Sequence, residues 1–191
     1  LIEAMTQLPI FPRVAFSSST QATQDKPYGR SKLAAEKILW QYSEQYKTQV
    51  YLFRLTNVFG KWCRPNYNSG VATFCHNIVR NLPIHIHDSS ATLRLIYIDD
   101  VVDVFLELLK EPNREGGFIE AAQVYETTVG EVVEILKSFH ASRNNSIIPQ
   151  VGTGLTRALY ATYMNYLPTE SFSYEVPIHG DSRGVFVEML K

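Results

Sequence analysis

Short apolar runs and longer amphipathic stretches alternate along this chain, and that alternation limits the folds open to it. Val14-Ala15-Phe16, Val50 to Leu55, Leu93 to Ile98 and Phe118 to Ala122 read as strands. Between and after them lie helical patterns. One starts at Tyr28 and carries Leu33, Ile38, Leu39 and Tyr42; a second carries Val71, Phe74, Cys75, Ile78 and Val79; others are Val101 to Leu109 and the run through Leu136 to Phe139. Strands alternating with helices in this way predict an α/β domain with a mainly parallel sheet. Local signals sharpen the boundaries. Pro27 stands at a helix start, where its missing N–H costs little. Asp99 or Asp100 suits the N-cap of the 101–109 helix, and Thr128-Val129-Gly130-Glu131 has the spacing of a capping box. Ile84 to His87 reads as one more short alternating strand. A last helix near Leu155 to Tyr163 precedes Leu167-Pro168, which reads as a linker, and then Phe172 to Val176 and Val185 to Met189 alternate like β-strands.

Composition excludes several classes of function. The 191 residues carry 18 basic and 19 acidic side chains, a formal net charge of -1, which argues against nucleic acid or an anionic membrane as partner. The two cysteines, Cys63 and Cys75, are too few for a disulfide framework or a four-ligand zinc site, so a reducing cytoplasm is the expected location. His85 and His87 share a face of their expected strand, but with no third ligand nearby they read as a polar outer face rather than a metal site. Both ends read as cut: Leu1 opens in what looks like the tail of a helix, and Lys191 stops inside an alternating pattern.

The segment that carries chemistry is Ser17-Ser18-Ser19-Thr20 followed by Tyr28-Gly29-Arg30-Ser31-Lys32. Tyr28 and Lys32 are four residues apart at a helix start, so both side chains lie on one face. A lysine ammonium beside a phenol favours the phenolate. Such a tyrosine gives a proton to a carbonyl oxygen while a hydride arrives at carbon, or takes one in reverse. A hydroxyl at the end of the neighbouring strand would bond the same oxygen and orient it. Tyr-x-x-x-Lys alone is common on helix surfaces; the serine-ended strand upstream gives it meaning.

In that order, the strand-end serines, the Tyr28/Lys32 pair, Arg54-Leu55-Thr56-Asn57-Val58-Phe59-Gly60 and Arg94 to Val101 resemble the extended short-chain dehydrogenase/reductase family that acts on nucleotide-linked sugars. The resemblance implies a Rossmann-like parallel sheet, here its C-terminal part, over residues 1–167. It implies Ser19, Tyr28 and Lys32 as catalytic residues, with Ser18 or Thr20 as alternatives to Ser19 within the hydroxyl run. Ser17, Tyr28, Lys32 and Leu55 would meet the nicotinamide cofactor; Asn57, Val71 and Arg94 would hold the nucleotide-sugar, Arg94 at its diphosphate.

Ser17 through Lys32, Asn57 through Ile78 and Phe172 onward are further similar to bacterial capsular-polysaccharide reductases that join a short-chain reductase to a C-terminal cupin. By that resemblance residues 168–191 are a linker and the first strands of the cupin. The implied reaction is NADPH-dependent reduction of a UDP-linked 4-keto-6-deoxy amino sugar, on the route to UDP-N-acetyl-L-fucosamine, by a homo-oligomer, dimer or tetramer. By the same resemblance a metal ion is expected only in the body of the cupin, outside these residues. The first glycine of the sequence is Gly29, so the glycine-rich turn that cradles a dinucleotide pyrophosphate is not among these 191 residues and the NADPH site is incomplete in them. Gly152-Thr153-Gly154 lacks the third glycine and follows the Tyr/Lys pair, which makes it a decoy. Two rival readings stay open: an NAD-retaining nucleotide-sugar 4-epimerase or dehydratase of the same fold, and a non-catalytic interaction fragment.

Overall fold

The apolar runs at 14–19 and 50–55 lie side by side as parallel strands in register from Val14 opposite Val50 to Ser19 opposite Leu55. The structure is a computed structural model that describes residues 1–120, 123–145, 147 and 149–187. Its elements in chain order are α1 (Ile2–Met5), β1 (Val14–Ser19), a 3-10 turn (Thr20–Thr23), α2 (Pro27–Tyr46), β2 (Val50–Leu55), β3 (Asn57–Phe59) and α3 (Gly70–Ile78). They continue with β4 (Thr92–Tyr97), α4 (Ile98–Lys110), β5 (Gly117–Phe118), β6 (Val124–Thr128), α5 (Val129–Asn145) and α6 (Gly154–Tyr166). A second 3-10 turn (Thr169–Ser171) and the hairpin strands β7 (Ile178–Asp181) and β8 (Gly184–Val187) end the series.

The chain divides into two units, Leu1–Val58 with Ile98–Val124, and Phe59–Tyr97 with Tyr125–Lys191. In the first, β2 is the middle strand of the parallel sheet β1-β2-β5, and Ile119 N–H carries the β5 ladder one bond further to the Leu52 carbonyl. A middle parallel strand is covered on both faces, which is why Val-Tyr-Leu-Phe-Arg-Leu is apolar at every position but one. Met5, Leu39, Tyr42, Val50 and Leu52 form a core cluster backed by Phe16 and Trp40, and Phe53 meets Phe105 of α4 edge-on at 4.5 Å. This is the parallel sheet that the strand-helix alternation predicts, and the Rossmann-like sheet that the family resemblance implies.

In the second unit the sheet order is β3-β4-β6, and Leu95, Ile96 and Tyr97 of β4 are buried. α3, α5 and α6 pack together through Cys75, Ile78, Leu136, Phe139, Leu159 and Tyr163. The capping box at the start of α5 forms as spaced: Glu131 N–H donates to Thr128 Oγ1 at 3.2 Å, and Thr128 N–H donates to the Glu131 carboxylate at 3.0 Å. The small antiparallel β7-β8 hairpin closes the described chain.

Several expected boundaries differ. Ile84 to His87 is not a strand: the segment is an open connection after Pro83, Ile86 is 38% exposed, and alternation without a partner strand makes no ladder. Asp99 and Asp100 lie inside the first turn of α4, which starts at Ile98, where their charge still meets the helix N-terminal dipole. Ile38 is 51% exposed because α2 buries a stripe through Glu36, Leu39 and Tyr42 instead. Phe172 to Val176 is irregular, and the hairpin uses 178–181 and 184–187. The remainders of the expected strands at 121–122 and 188–189 lie outside the described residues.

Candidate active site

Side chains alternate across a strand, so Ser17 and Ser19 at the end of β1 share one face and Ser18 takes the other. Ser18 is buried, and its hydroxyl donates to a carboxylate oxygen of Glu36. Ser19 is the N-cap of the first 3-10 turn; its Oγ accepts the Gln21 N–H at 3.1 Å. That contact uses an oxygen lone pair and leaves the Ser19 proton to donate elsewhere. Thr20 is exposed within the turn.

The turn hands the chain to the start of α2, where Pro27 occupies the first helical position. Gly29 packs directly on the turn: a Cβ there would lie 2.2 Å from the Gln21 carbonyl oxygen and 2.5 Å from that of Gln24. Only glycine permits this approach. Its neighbour Tyr28 is 51% exposed. One turn along the helix, Lys32 reaches back so that Nζ donates to the Ser17 carbonyl at 3.0 Å. The same ammonium stands 5.7 Å from the Tyr28 ring centroid and 5.1 Å from that of Phe16.

A further turn along the same helix face sits Glu36, 1% exposed. Arg54 of β2, the register partner of Ser18, grips it with Nε at 3.0 Å from one carboxylate oxygen and Nη2 at 2.6 Å from the other. The Arg54 guanidinium also lies 4.5 Å from the Phe118 ring centroid. Hydrogen bonds from Arg54 hold the Glu36 carboxyl below its ordinary range against the opposing effect of burial, and Glu36 in turn raises Arg54.

Ser17, Ser19, Tyr28, Lys32 and Leu55 thus gather around the C-terminal ends of β1 and β2, the edge of a parallel sheet at which ligands bind. Leu55 is buried opposite Ser19, and Asn57 is exposed at the start of β3. Val71 and Arg94 belong to the second unit: Val71 is buried in the first turn of α3, and Arg94 on β4 pairs with Glu126 at 3.3 Å on an exposed surface. Gly29, Glu36 and the charge of Arg54 are not among the features that the sequence motifs single out. The signal was present: an acidic residue in the buried stripe of α2 and a lone cation in the buried strand β2 require one another.

Residues 4–122 match the family model described as the NAD dependent epimerase/dehydratase family. The chain is 52% identical over 176 residues to UDP-2-acetamido-2,6-beta-L-arabino-hexul-4-ose reductase of Pseudomonas aeruginosa, an alignment covering 92% of this chain and 47% of that protein. It is 28% identical to human dTDP-D-glucose 4,6-dehydratase, over 86% of this chain and 45% of the relative. Among solved structures, the capsular polysaccharide assembling protein CapF from Staphylococcus aureus superposes with a TM-score of 0.93 at 41% identity, over 100% of this chain and 53% of that one. The chain spans about half the length of these relatives. Thermus thermophilus UDP-glucose 4-epimerase, at 17% identity and a TM-score of 0.67, shares the fold.

Proposed function

The chain belongs to the NAD dependent epimerase/dehydratase family, and from that premise we propose that it supplies the catalytic residues for NADPH-dependent reduction of a UDP-linked 4-keto-6-deoxy amino sugar. The product would feed UDP-N-acetyl-L-fucosamine and capsular polysaccharide synthesis. The observation that carries the reading is the Lys32 ammonium held between the Ser17 carbonyl and the Tyr28 ring at the end of β1. Likeness to the Pseudomonas reductase supports the choice of substrate. Residues 1–167 would serve the reductase and 168–191 the linker and first strands of a cupin, a division supported by the β7-β8 hairpin. A homo-oligomer in the cytoplasm fits the resemblance, and no helix among the described residues is long and apolar enough to cross a membrane.

The donor set suits the nicotinamide end of the cofactor. Tyr28 and Lys32 would hold the ribose hydroxyls, while Ser17 and Leu55 line the ring. Asn57, Val71 and Arg94 would hold the nucleotide-sugar, with the Arg94 guanidinium exchanging Glu126 for the diphosphate. A bound nicotinamide supplies the hydride. Ser19 donates a hydrogen bond to the ketone oxygen and orients it; Tyr28 gives its hydroxyl proton to that oxygen, completing the alcohol. Lys32, placed by the Ser17 carbonyl, stabilises the phenolate left behind. Ser19 rather than Ser18 suits this role because the Ser18 hydroxyl is spent on buried Glu36.

Tyr28→Phe in the full-length protein is expected to abolish NADPH oxidation with the far-ultraviolet circular dichroism unchanged; undiminished turnover would refute the assignment. A second reading, an NAD-retaining epimerase or dehydratase, draws on the likeness to dTDP-D-glucose 4,6-dehydratase. It requires that no added NADPH be consumed.

A further inference from the structure

We propose that Ser18, Glu36 and Arg54 are positioning residues for the reaction, a triad centred on the buried Glu36 carboxylate that fixes Tyr28 and Lys32 of α2 against Ser19 of β1. The inference rests on the reading of Tyr28 as proton donor. Each member comes from a different element, β1, α2 and β2, and the three close a ring: Ser18 bonds to Glu36, Glu36 to Arg54, and Arg54 lies beside Ser18 in the strand register.

The placement argues for more than cohesion. Ser18 is flanked by the two residues through which β1 meets the site, Ser17 by its carbonyl to Lys32 and Ser19 by its hydroxyl. Glu36 lies one turn beyond Lys32 and two beyond Tyr28 on the same helix face, about 12 Å from Tyr28 along the axis. The start of α2 abuts the 3-10 turn at Gly29, and Glu36 anchors it seven residues later. With two fixed points the helix can neither slide nor pivot, and Lys32 lies between them. The planar fork of Arg54 sets the carboxylate's orientation as well as its position, and stacking on Phe118 holds the fork. For cohesion alone, three packed apolar side chains would serve as well or better. A charged ring costs desolvation, and what it adds is a single geometry.

The test uses Ser18→Ala and Arg54→Lys in the full-length protein. S18A deletes one hydroxyl and keeps the ion pair; R54K keeps the charge and loses the fork. Each is expected to lower kcat for reduction of the UDP-linked ketosugar by about tenfold or more, as misplacement of reacting groups does. KM for the sugar should stay within about twofold, since Asn57, Val71 and Arg94 are untouched, whereas KM for NADPH should rise with the displaced Tyr28 and Lys32. Thermal midpoints must remain above the assay temperature. A kcat equal to wild type in S18A overturns the proposal, as does failure of both variants to fold, which would assign the triad to stability alone. Tyr28→Phe is the control: an active Y28F sinks the functional reading, whereas an inactive Y28F beside a fully active S18A sinks only the triad.

Discussion

Gly29→Ala should destabilise the protein even though alanine is the better helix former. In an unencumbered helix the exchange would gain about 1 kcal/mol. Here the new Cβ would stand 2.2 and 2.5 Å from two backbone carbonyl oxygens, where ordinary contact begins at 3.4 Å, so about 1 Å of overlap must be relieved. Neither oxygen belongs to a side chain that can swing away. Gln21 is held by Ser19 Oγ through its N–H, and its carbonyl accepts the Gln24 N–H at 2.9 Å. Relief therefore means moving the turn or the start of α2. Overpacking of this kind costs about 1–3 kcal/mol and sometimes more. Because the obstruction is backbone, the upper end applies, for a net loss of about 2 kcal/mol after the propensity gain. For a cooperatively melting unit of about 150–250 residues that is about 4–8 °C in the melting temperature of this part of the protein. Differential scanning fluorimetry of the full-length protein, wild type against G29A, reads it. Since Tyr28 is the adjacent residue, kcat should fall as well. A G29A protein as stable as wild type would exclude the clash with the turn.

Two further outcomes follow from ionisation. Glu36 is held below its ordinary value by Arg54, so its charged form contributes stability that is complete above the unfolded value, about 4.3, and is lost as pH falls through the lowered one. Glu36→Gln should therefore flatten the acid limb of the stability curve, measured by denaturant titration between about pH 5 and pH 2; an unchanged limb would contradict the pairing. Burial pushes Tyr163 and Tyr166 up to about 12, and Tyr166 donates its hydroxyl to the Cys63 carbonyl. Ultraviolet titration should leave these two tyrosines protonated at a pH of about 11, above the ordinary phenol range. Because the folded chain then holds protons the unfolded chain has lost, stability should fall as pH rises above 10. Early ionisation of every tyrosine would exclude the buried environments.

Much of the fold was legible because the chain obeys simple periodicities. The unbroken apolar run of β2 betrays a strand covered on both faces, and Thr128 with Glu131 marks the start of α5 to the residue. Legibility failed where pattern and pairing part. Ile84 to His87 alternates but has no strand beside it among the described residues, and α2 turns Glu36 inward and Ile38 outward because a pairing with Arg54, remote in sequence, outweighs the hydropathy of either position. The site shows the same division. Tyr28 and Lys32 announce themselves by a four-residue spacing, and the structure adds that Lys32 is placed by the Ser17 carbonyl. The choice among serines needed the strand's two faces: Ser18 is turned to Glu36, a contact spanning 18 residues of sequence that no local pattern encodes. Gly29 was hidden for a related reason, since its meaning lies in the backbone of a turn folded against it.

A net reduction in which Tyr28 delivers the proton consumes NADPH in fixed proportion to the sugar, and that ratio can be counted. The full-length protein is mixed with a UDP-linked 4-keto-6-deoxy amino sugar and NADPH, and absorbance at the dihydronicotinamide band is followed alongside the sugar product. One NADPH is expected to be oxidised for each alcohol formed. Conversion of the sugar with no net loss of NADPH would contradict it and identify a hydride-recycling epimerase or dehydratase.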